Sequence, residues 1–231
     1  VAETMITNNY ADHIYTLSKG ISWITFQNEC AAIRIDDQLC KQGKGITLYS
    51  SFKQNLKGDK IYTVFEDSEG DEWILTNKGI SIIGKKQVDS DFPFQYIKEA
   101  DGIIYLVSQS DKLASYNFKT RQFKFIEIPY HVSMINEVKK FDSNTLLLAT
   151  DNGLIIYKIK EKEFQLIDIR TSTQPSNVVQ SVYQDHYKEL WIFPQTTGVI
   201  RYNPSTKEMQ HLFTPAAEVI RYARKNKNVI F

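Results

Sequence analysis

Short apolar runs separated by turn residues fill most of this chain. In "IYTVFED" (61–67) an apolar side chain recurs near every second residue, and "EWILT" (72–76), which follows a tight turn, is almost wholly apolar. Alternation with a period of two predicts β-strands, and a short continuous apolar run predicts a strand buried on both faces. The 3.6-residue period of an amphipathic helix is absent from windows longer than about ten residues. The pattern therefore predicts an all-β protein.

The same pattern recurs along the chain. The stretch "DSEGDEWILTNKGISII" (67–83) returns as "DSNTLLLATDNGLIIY" (142–157) and "DHYKELWIFPQTTGVIRY" (185–202), with weaker copies from Ser18 and Ala100. The third position of each middle run holds a large apolar residue: Trp23, Trp73, Tyr105, Leu147 and Trp191. Their spacing of roughly 30 to 50 residues is typical of propellers and other repeat proteins. The shared register also assigns the three tryptophans to the core.

Each repeat contains four strand-like runs of graded burial. Runs such as "GISII" form the third strand, and Lys-containing runs such as "QFKFIEI" form a more polar fourth strand. The glycines at the start of the third run, Gly79 and Gly153 among them, can adopt the positive φ that a tight hairpin requires. Four antiparallel strands make one blade of a β-propeller. We predict that blades begin near His13, Ile61, Tyr96, Met134 and Val178.

The predicted propeller is incomplete in this chain. Residues 219–231, "VIRYARKNKNVIF", resemble a first strand, a turn and the start of a second strand. We therefore expect about five blades and the start of a sixth, in a single domain over 1–231. Five blades leave a sheet edge unpaired, and such an edge promotes association. The expected partners are the remaining blades and neighbouring domains of the same protein, or a second copy in a homodimer.

The repeat resembles a known family. The pattern D-x-x-G-x-x-W-I-x-T-x-x-G-[LIV] is similar to the two-component regulator propeller repeat, which occurs in tandem in the extracytoplasmic sensor regions of hybrid two-component systems of Bacteroides-like bacteria. The best match covers 67–83, with Trp73, Ile74, Thr76 and Gly79 in the expected places. Other positions depart from the family pattern: Leu75, Ala149 and Phe193 replace Gly, Tyr105 and Leu147 replace Trp, and Leu17 replaces Asp.

The resemblance implies a periplasmic ligand sensor. In such a protein the propeller commonly detects an oligosaccharide, and a membrane helix couples it to a histidine kinase that controls the transcription of glycan-use genes. The region itself would be non-catalytic and would need no cofactor. Residues 1–13 lack the basic start and apolar centre of a signal peptide, so the resemblance implies that the signal has been removed.

Composition excludes several other classes. Of 231 residues 42% are hydrophobic, which is enough for an extensive core, and no run approaches the ~18 apolar residues of a membrane span. The net charge of +1 creates no field that would gather nucleic acid, so we expect no nucleic-acid partner. Cys30 and Cys40 lie ten residues apart, and the sequence leaves open whether they form a disulfide or remain thiols.

Catalytic and metal-binding motifs are absent from the sequence. It contains no G-x-S-x-G elbow, no phosphate-binding glycine loop and no H-E-x-x-H motif. Its four histidines, His13, His131, His186 and His211, fall in different repeats. We therefore expect no catalytic residue, no metal ion and no cofactor in this region.

Geometry indicates where a ligand would bind. In a four-stranded antiparallel blade, the loop between the second and third strands emerges on the same side as the connection to the next blade. The connections 91–96, 128–133 and 172–177 combine aromatic residues, amides and proline, and aromatic faces with amide groups suit a neutral sugar. The predicted ligand-binding residues are Phe94, Tyr130, His131, Gln174, Asn177 and Gln195.

Structural roles are the alternative for some of these residues. Phe92, Phe94 and Tyr130 would then pack between adjacent blades, and Asn77 and Asn152 would form turns. Two other functions also stay open. A protein-interaction scaffold predicts a broad exposed patch without a deep polar pocket, and a propeller lyase or hydrolase predicts convergent carboxylates or histidines around a pocket.

Overall fold

In the computed structural model the described residues form five antiparallel sheets, four with four strands and one with three. The structure describes residues 10–26, 31–50, 56–58, 60–84, 93–100, 102–117, 120, 122–172, 174–196 and 198–212. Neighbouring strands of every sheet are consecutive in sequence, so each sheet is a meander, as predicted for a propeller blade. The predicted partial blade at 219–231, Phe92 and Cys30 lie outside the described residues.

The strands group into blades as follows. Blade 1 contains β1 (Ala11–Thr16), β2 (Ile21–Phe26), β3 (Ala31–Asp36) and β4 (Ile46–Ser50), and blade 2 contains β5 (Ile61–Glu66), β6 (Glu72–Thr76) and β7 (Gly79–Ile82). Blade 3 contains β8 (Phe94–Ala100), β9 (Ile103–Ser108), β10 (Leu113–Asn117) and β11 (Gln122–Ile126). Blade 4 contains β12 (Ile135–Asp142), β13 (Thr145–Thr150), β14 (Gly153–Lys158) and β15 (Glu163–Ile167), and blade 5 contains β16 (Val179–Gln184), β17 (Leu190–Pro194), β18 (Val199–Tyr202) and β19 (Met209–Leu212).

The chain divides into two compact units, Val1–Glu127 with blades 1 to 3 and Ile128–Phe231 with blades 4 and 5. The blades begin at residues 11, 61, 94, 135 and 179, close to the predicted starts at 13, 61, 96, 134 and 178. That all 231 residues form a single domain stays a prediction.

Consecutive blades within the first unit pack face to face. We call the face of each sheet that carries the Trp23 or Trp73 register position its back face, and the other its front face. Trp23 on the back of blade 1 is fully buried against Val64 and Ile74 on the front of blade 2. Trp73 on the back of blade 2 packs in the same way into a cluster with Leu106 of blade 3. Both tryptophans therefore belong to the core, as predicted. Trp191 of blade 5, the third tryptophan assigned to the core, is only partly buried.

The second unit repeats this packing with aliphatic residues. Leu147 occupies the tryptophan position on the back of blade 4, and Ala149 lies beside it on the same face. Both belong to one buried cluster with Val182 and Ile192 on the front of blade 5. The front of one blade thus meets the back of the preceding blade in both units.

The aspartate of the repeat is a hydrogen-bond hub. In blade 2, Oδ1 of Asp67 accepts the backbone N–H of Glu69 at 3.0 Å and of Asp71 at 2.8 Å, and Oδ2 accepts Nε1 of Trp73 at 2.8 Å. Blade 5 repeats the hub with Asp185, which accepts Nε1 of Trp191 at 3.0 Å. In both blades one carboxylate thus fixes the hairpin and the tryptophan six residues after the aspartate, which explains the D-x-x-G-x-x-W spacing.

Blade 1 satisfies its tryptophan differently. Leu17 stands in the hub position, and Nε1 of Trp23 donates to Oε2 of Glu72 in blade 2 at 2.6 Å. Arg34 donates to the same carboxylate from Nε and Nη2, the latter at 2.7 Å from Oε1. Burial of the indole thus depends on the neighbouring blade.

Two serine–glutamate latches connect blades of the first unit. The backbone N–H and the hydroxyl of Ser18 both donate to Glu66 of blade 2, the former at 2.5 Å. Ser68 of blade 2 makes the same pair of bonds to Glu99 of blade 3, with its N–H at 2.7 Å. Glu66 and Glu99 hold the same register position, because they pair across their hairpins with Glu72 and Ile104.

Helix is scarce among the described residues. The α-helix α1 (Asp37–Cys40) is capped by the side chain of Asp36, and a 3-10 turn covers Ser18–Gly20. In the described parts of the chain no helix has the length and apolar character needed to cross a membrane. Cys40 is an exposed free thiol.

Candidate functional site

The hairpins between second and third strands lie beside the connections that enter the same blades. The N–H of Asn77 donates to the carbonyl of Lys60 at 3.1 Å, that of Asp151 to Met134 at 3.0 Å, and that of Gln195 to Val178 at 2.9 Å. The predicted placement of these loops on one side of a blade is therefore confirmed. We call the segments 128–134, 150–153, 168–172, 174–178 and 194–196 of the second unit its loop face.

A threonine shapes each hairpin. The hydroxyl of Thr150 donates to the carbonyl of Gly153 at 2.7 Å and accepts the N–H of Asn152 at 3.0 Å. Thr76 makes the same bond to Gly79 at 2.8 Å. Gly153 has a φ of 97°, a conformation that residues with a Cβ rarely adopt. These contacts explain the T-x-x-G part of the repeat as a structural element.

An asparagine ladder crosses the loop face. Oδ1 of Asn177 accepts the N–H of Ile169 at 2.9 Å, and its Nδ2 donates to Oδ1 of Asn152 at 3.0 Å. Nδ2 of Asn152 in turn donates to the carbonyl of His131 at 2.9 Å. The ladder brings the predicted residues His131 and Asn177 together. Every side-chain nitrogen and oxygen of Asn152 and Asn177 already has a protein partner, so these amides hold the loops in place.

Three predicted residues of the loop face differ in the exposure of their side chains. The hydroxyl of Tyr130 donates to the carbonyl of Phe164 at 3.0 Å, and the ring is half-buried. The side chain of His131 is exposed next to it in sequence. Gln195 is also exposed, in the β17–β18 hairpin. The side chains of His131 and Gln195 therefore lie where a bound molecule can reach them.

Phe94 lies in the first unit, apart from the other five predicted residues. It is 1% exposed, and its ring centroid lies 5.6 Å from that of Phe123 in the core of blades 2 and 3. Its ring therefore offers no open face for a sugar, and packing between blades accounts for this residue.

Gln174 differs from the other amides of the loop face. Its backbone is fixed, because its N–H donates to the hydroxyl of Thr171 at 3.0 Å and its carbonyl accepts the N–H of Thr171 at 2.8 Å. The residue is only 3% exposed. Nε2 of Gln174 is buried, and no described residue accepts a hydrogen bond from it. A buried donor without an acceptor costs about 1–3 kcal/mol, so an oxygen supplied by a ligand would be favourable here.

Charged groups lie at the rim of the loop face. Arg170 binds the carboxylate of Asp168 through Nε and Nη2, and these hydrogen bonds lower the pKa of Asp168 below its ordinary value. Asp151 accepts the N–H of Ser133 with both oxygens, at 3.1 and 3.2 Å. No group of three or more His, Cys, Asp or Glu side chains converges on a metal-sized site within the described ranges.

Sequence reasoning missed the Asp168–Arg170 pair and the part of Thr171 in fixing Gln174. The segment "TSTQPSN" (171–177) carried a signal, because Ser, Thr, Asn and Pro clusters predict loops held by bonds between side chains and backbone. That signal identifies a structured loop, and it does not tell which amide remains without a partner.

Comparisons with known proteins place these observations in context. No protein-family model matches the chain. "Histidine kinase P4" of Formosa agariphila is 22% identical over 221 residues, which are 90% of this chain and 14% of that protein. The chain thus spans a small part of this relative's length.

Solved structures share the fold. The extracellular domain of the hybrid two-component system BT3049 from B. thetaiotaomicron superposes with a TM-score of 0.64 at 16% identity, over 90% of this chain and 30% of that one. Virginiamycin B lyase from Staphylococcus aureus gives a TM-score of 0.67 at 18% identity, over 89% of this chain and 70% of the lyase. The chain has a β-propeller fold. It resembles sensor regions of two-component systems, as the repeat pattern suggested.

Proposed function

We propose that this chain belongs to the periplasmic ligand-sensing region of a hybrid two-component sensor histidine kinase. Similarity to a histidine kinase over 90% of the chain supports this proposal, as does the fold shared with extracellular domains of two such systems. By this proposal the ligand is an oligosaccharide, and the output is the transcription of glycan-use genes.

The proposed ligand site is the loop face of the second unit. The observation that carries it is the buried Nε2 of Gln174, which has no acceptor among the described residues. A sugar presents many hydroxyl oxygens that accept such a bond. The exposed side chains of His131 and Gln195 would contact the outer part of the ligand. The asparagine ladder would keep the loops in one arrangement, which lowers the entropy lost on binding.

Signalling would require that the propeller exists in two conformational states and that the oligosaccharide binds one of them more tightly than the other. A ligand shifts an equilibrium only if it binds one state more tightly than the other. We propose that the oligosaccharide favours one packing of the propeller on its neighbouring domain or on a dimer partner, and that this packing changes the activity of the kinase. The chain itself would take no part in the chemistry.

Isothermal titration calorimetry of the chain against defined oligosaccharides tests the proposal. Saturable binding that depends on sugar composition is the expected result. Absence of binding by every sugar, in a protein shown to be folded by circular dichroism, would contradict the proposal and favour a protein-interaction scaffold.

Gln174→Met tests the proposed contact. Methionine retains the length of glutamine but removes the donor, so we expect affinity for the oligosaccharide to fall by about tenfold, the value of one hydrogen bond. The Tm should stay the same or rise, because Nε2 makes no protein hydrogen bond that the substitution would break.

Gln184→Met is the matched control. Nε2 of Gln184 is also buried without an acceptor, but this residue ends β16, at the opposite end of that strand from the loop face. Its replacement should leave affinity unchanged. Equal affinity for the wild type and Gln174→Met would exclude Gln174 from the site.

A lyase is the second candidate, because two of the structural relatives are virginiamycin B lyases. One of these is a catalytically inactive variant with a histidine-to-alanine substitution, bound to quinupristin. His131 is the exposed histidine of the loop face in this chain. Turnover of quinupristin by the wild type, lost in His131→Ala, would favour the enzyme over the sensor.

A further inference from the structure

The hairpin between β13 and β14 contains a chemically labile pair of residues. Asn152–Gly153 is the only Asn–Gly pair in the sequence. In such a pair the backbone nitrogen of the glycine can attack Cγ of the asparagine, because glycine has no side chain that hinders the approach. Ammonia leaves as the cyclic succinimide forms, and water then opens this ring to aspartate or isoaspartate. The loop face therefore contains a candidate deamidation site.

The fold requires the glycine that makes Asn152 labile. The φ of Gly153 is 97°, a conformation that residues with a Cβ rarely adopt. A Cβ at this position would also lie 2.6 Å from the backbone carbonyl oxygen of Ile167. The residue after Asn152 thus has to be a glycine, and protection against deamidation has to come from the surrounding structure.

Hydrogen bonds hold every group that takes part in the reaction. The N–H of Gly153, which is the attacking group, donates to the carbonyl of Asn177 at 2.6 Å. Oδ1 of Asn152 accepts Nδ2 of Asn177 at 3.0 Å, and Nδ2 of Asn152, the leaving group, donates to the carbonyl of His131 at 2.9 Å. Attack requires that Cγ rotate onto the nitrogen of Gly153 and that this nitrogen lose its proton, so these bonds have to break first.

We propose that Asn152 is a deamidation site that the asparagine ladder protects, and that Asn177 is the protecting residue. Asn177 acts twice, because its carbonyl binds the attacking nitrogen and its side-chain amide binds the amide under attack. It is 8% exposed, and its own Oδ1 accepts the N–H of Ile169 at 2.9 Å. The ladder that arranges the loops therefore also controls the rate at which the loop face is modified.

Deamidation would change the loop face irreversibly. Nδ2 of Asn152 would be replaced by a carboxylate oxygen, which cannot donate to the carbonyl of His131 and repels it. In isoaspartate the main chain also runs through the former side chain, which lengthens the hairpin backbone. Either product breaks the bond between this hairpin and the connection at 128–134, so the modification records that the ladder has opened.

Peptide mapping by mass spectrometry measures the reaction. The chain is incubated in mildly alkaline buffer with and without urea, and the deamidated fraction at Asn152 is followed over time. We expect slow conversion in the folded chain and fast conversion in urea, where the ladder is absent. Asn77, which is followed by lysine in the equivalent hairpin of blade 2, is the internal reference and should react far more slowly than Asn152 in urea. Equal rates at Asn152 in the folded and unfolded chains would overturn the proposal.

Asn177→Asp tests the role assigned to Asn177. Aspartate has the same shape and keeps the acceptor for Ile169, but it removes the donor to Asn152. Loss of one hydrogen bond should raise the deamidation rate of the folded chain by about fivefold. Asn136→Asp is the matched control, because it removes the donor to the carbonyl of Val179 in the same unit and leaves the ladder intact. Its deamidation rate should equal that of the wild type.

Two outcomes of this comparison would contradict the role of Asn177. One is an unchanged rate in Asn177→Asp, and the other is an equal acceleration in both variants, which would point to a general loss of stability. Circular dichroism shows whether each variant is folded. If Asn177→Asp does not fold, the comparison of the wild type with and without urea still decides whether the folded loop face protects Asn152.

Discussion

At the scale of single residues, the repeat depends on backbone conformation as well as on side chains. Gly70 and Lys188 occupy the same position in the hub hairpins of blades 2 and 5, with φ of 84° and 67°. The N–H of each donates to the carbonyl of its hub aspartate, at 3.0 and 3.2 Å. Lysine adopts the left-handed conformation at a cost of about 1–2 kcal/mol that glycine avoids.

Lys188→Gly should therefore stabilise the protein. Glycine gives back part of the gain through the entropy of the unfolded chain, so we expect the free energy of unfolding to rise by about 0.5–1 kcal/mol. Urea denaturation monitored by circular dichroism measures this change. Lys158→Gly, at an exposed strand position without positive φ, is the control and should destabilise the protein. A loss of stability in Lys188→Gly would refute the strain argument.

At the scale of elements, one carboxylate organises each hub hairpin. The Asp67 carboxylate accepts two backbone N–H groups of the β5–β6 hairpin and the indole N–H of the buried Trp73. The first blade shows the only described substitute, because Trp23 uses Glu72 from the next blade. Blade 2 has no such substitute in the adjoining front face, since Ile104 holds the equivalent position.

Asp67→Leu should consequently be strongly destabilising. It leaves the indole N–H and two hairpin amides without their acceptor, and we expect the free energy of unfolding to fall by about 2–4 kcal/mol. Glu69→Leu, at an exposed position of the same hairpin, should change stability by less than about 0.5 kcal/mol. Chemical denaturation measures the free energy of unfolding of both variants. Similar denaturation midpoints for Asp67→Leu and Glu69→Leu would show that the Asp67 hub does not stabilise the protein.

At the scale of the whole molecule, stability depends on how consecutive blades are joined. In the first unit the serine–glutamate latches join blades 1 and 2 and blades 2 and 3. Burial raises the pKa of Glu66, but the hydrogen bonds from the hydroxyl and the N–H of Ser18 outweigh it, and the pKa lies below its ordinary value of 4.5. The latch therefore favours the ionised carboxylate.

This pKa shift predicts a loss of stability in acid. Because the folded-state pKa is lower than that of the unfolded chain, the contribution of Glu66 is present above about pH 4.5 and disappears as the pH falls through the lower, folded-state value. Scanning calorimetry from pH 6 to about pH 3 should show a smaller acid-induced decrease in Tm for Glu66→Gln than for the wild type. If the Tm of the two proteins changed with pH in parallel, the hydrogen bonds from Ser18 to Glu66 would not contribute to the pH dependence of stability.

The fold was largely predictable from the sequence. Turn residues and apolar runs recur in one register, and Trp23, Trp73 and Leu147 fall at one structural position because the same backbone geometry repeats. Local alternation and turn chemistry suffice for this, since both act between residues close in the chain. The placement of hairpins and connections on one side also follows from antiparallel strand order.

The candidate site was only partly predictable. The amide-rich connection before β16 stood out in sequence, but Asn177 and Gln174 were indistinguishable there as possible ligand contacts. The structure separates them, because Asn177 binds Ile169 and Asn152 whereas Nε2 of Gln174 has no acceptor among the described residues. Hydrogen-bond satisfaction depends on the positions of distant segments, and composition does not encode those positions.

By itself, the sequence determined the strand pattern, the repeat and the hub hairpins, because these rest on interactions within a few residues. Only the tertiary structure decided that Glu72 replaces the missing aspartate of blade 1, that Phe94 is buried and that Ile14 is exposed. Each of these depends on which sheet face lies against the residue. Packing of one blade on another is a contact between residues far apart in the chain, and the local pattern of a single repeat is the same whether or not such a contact exists.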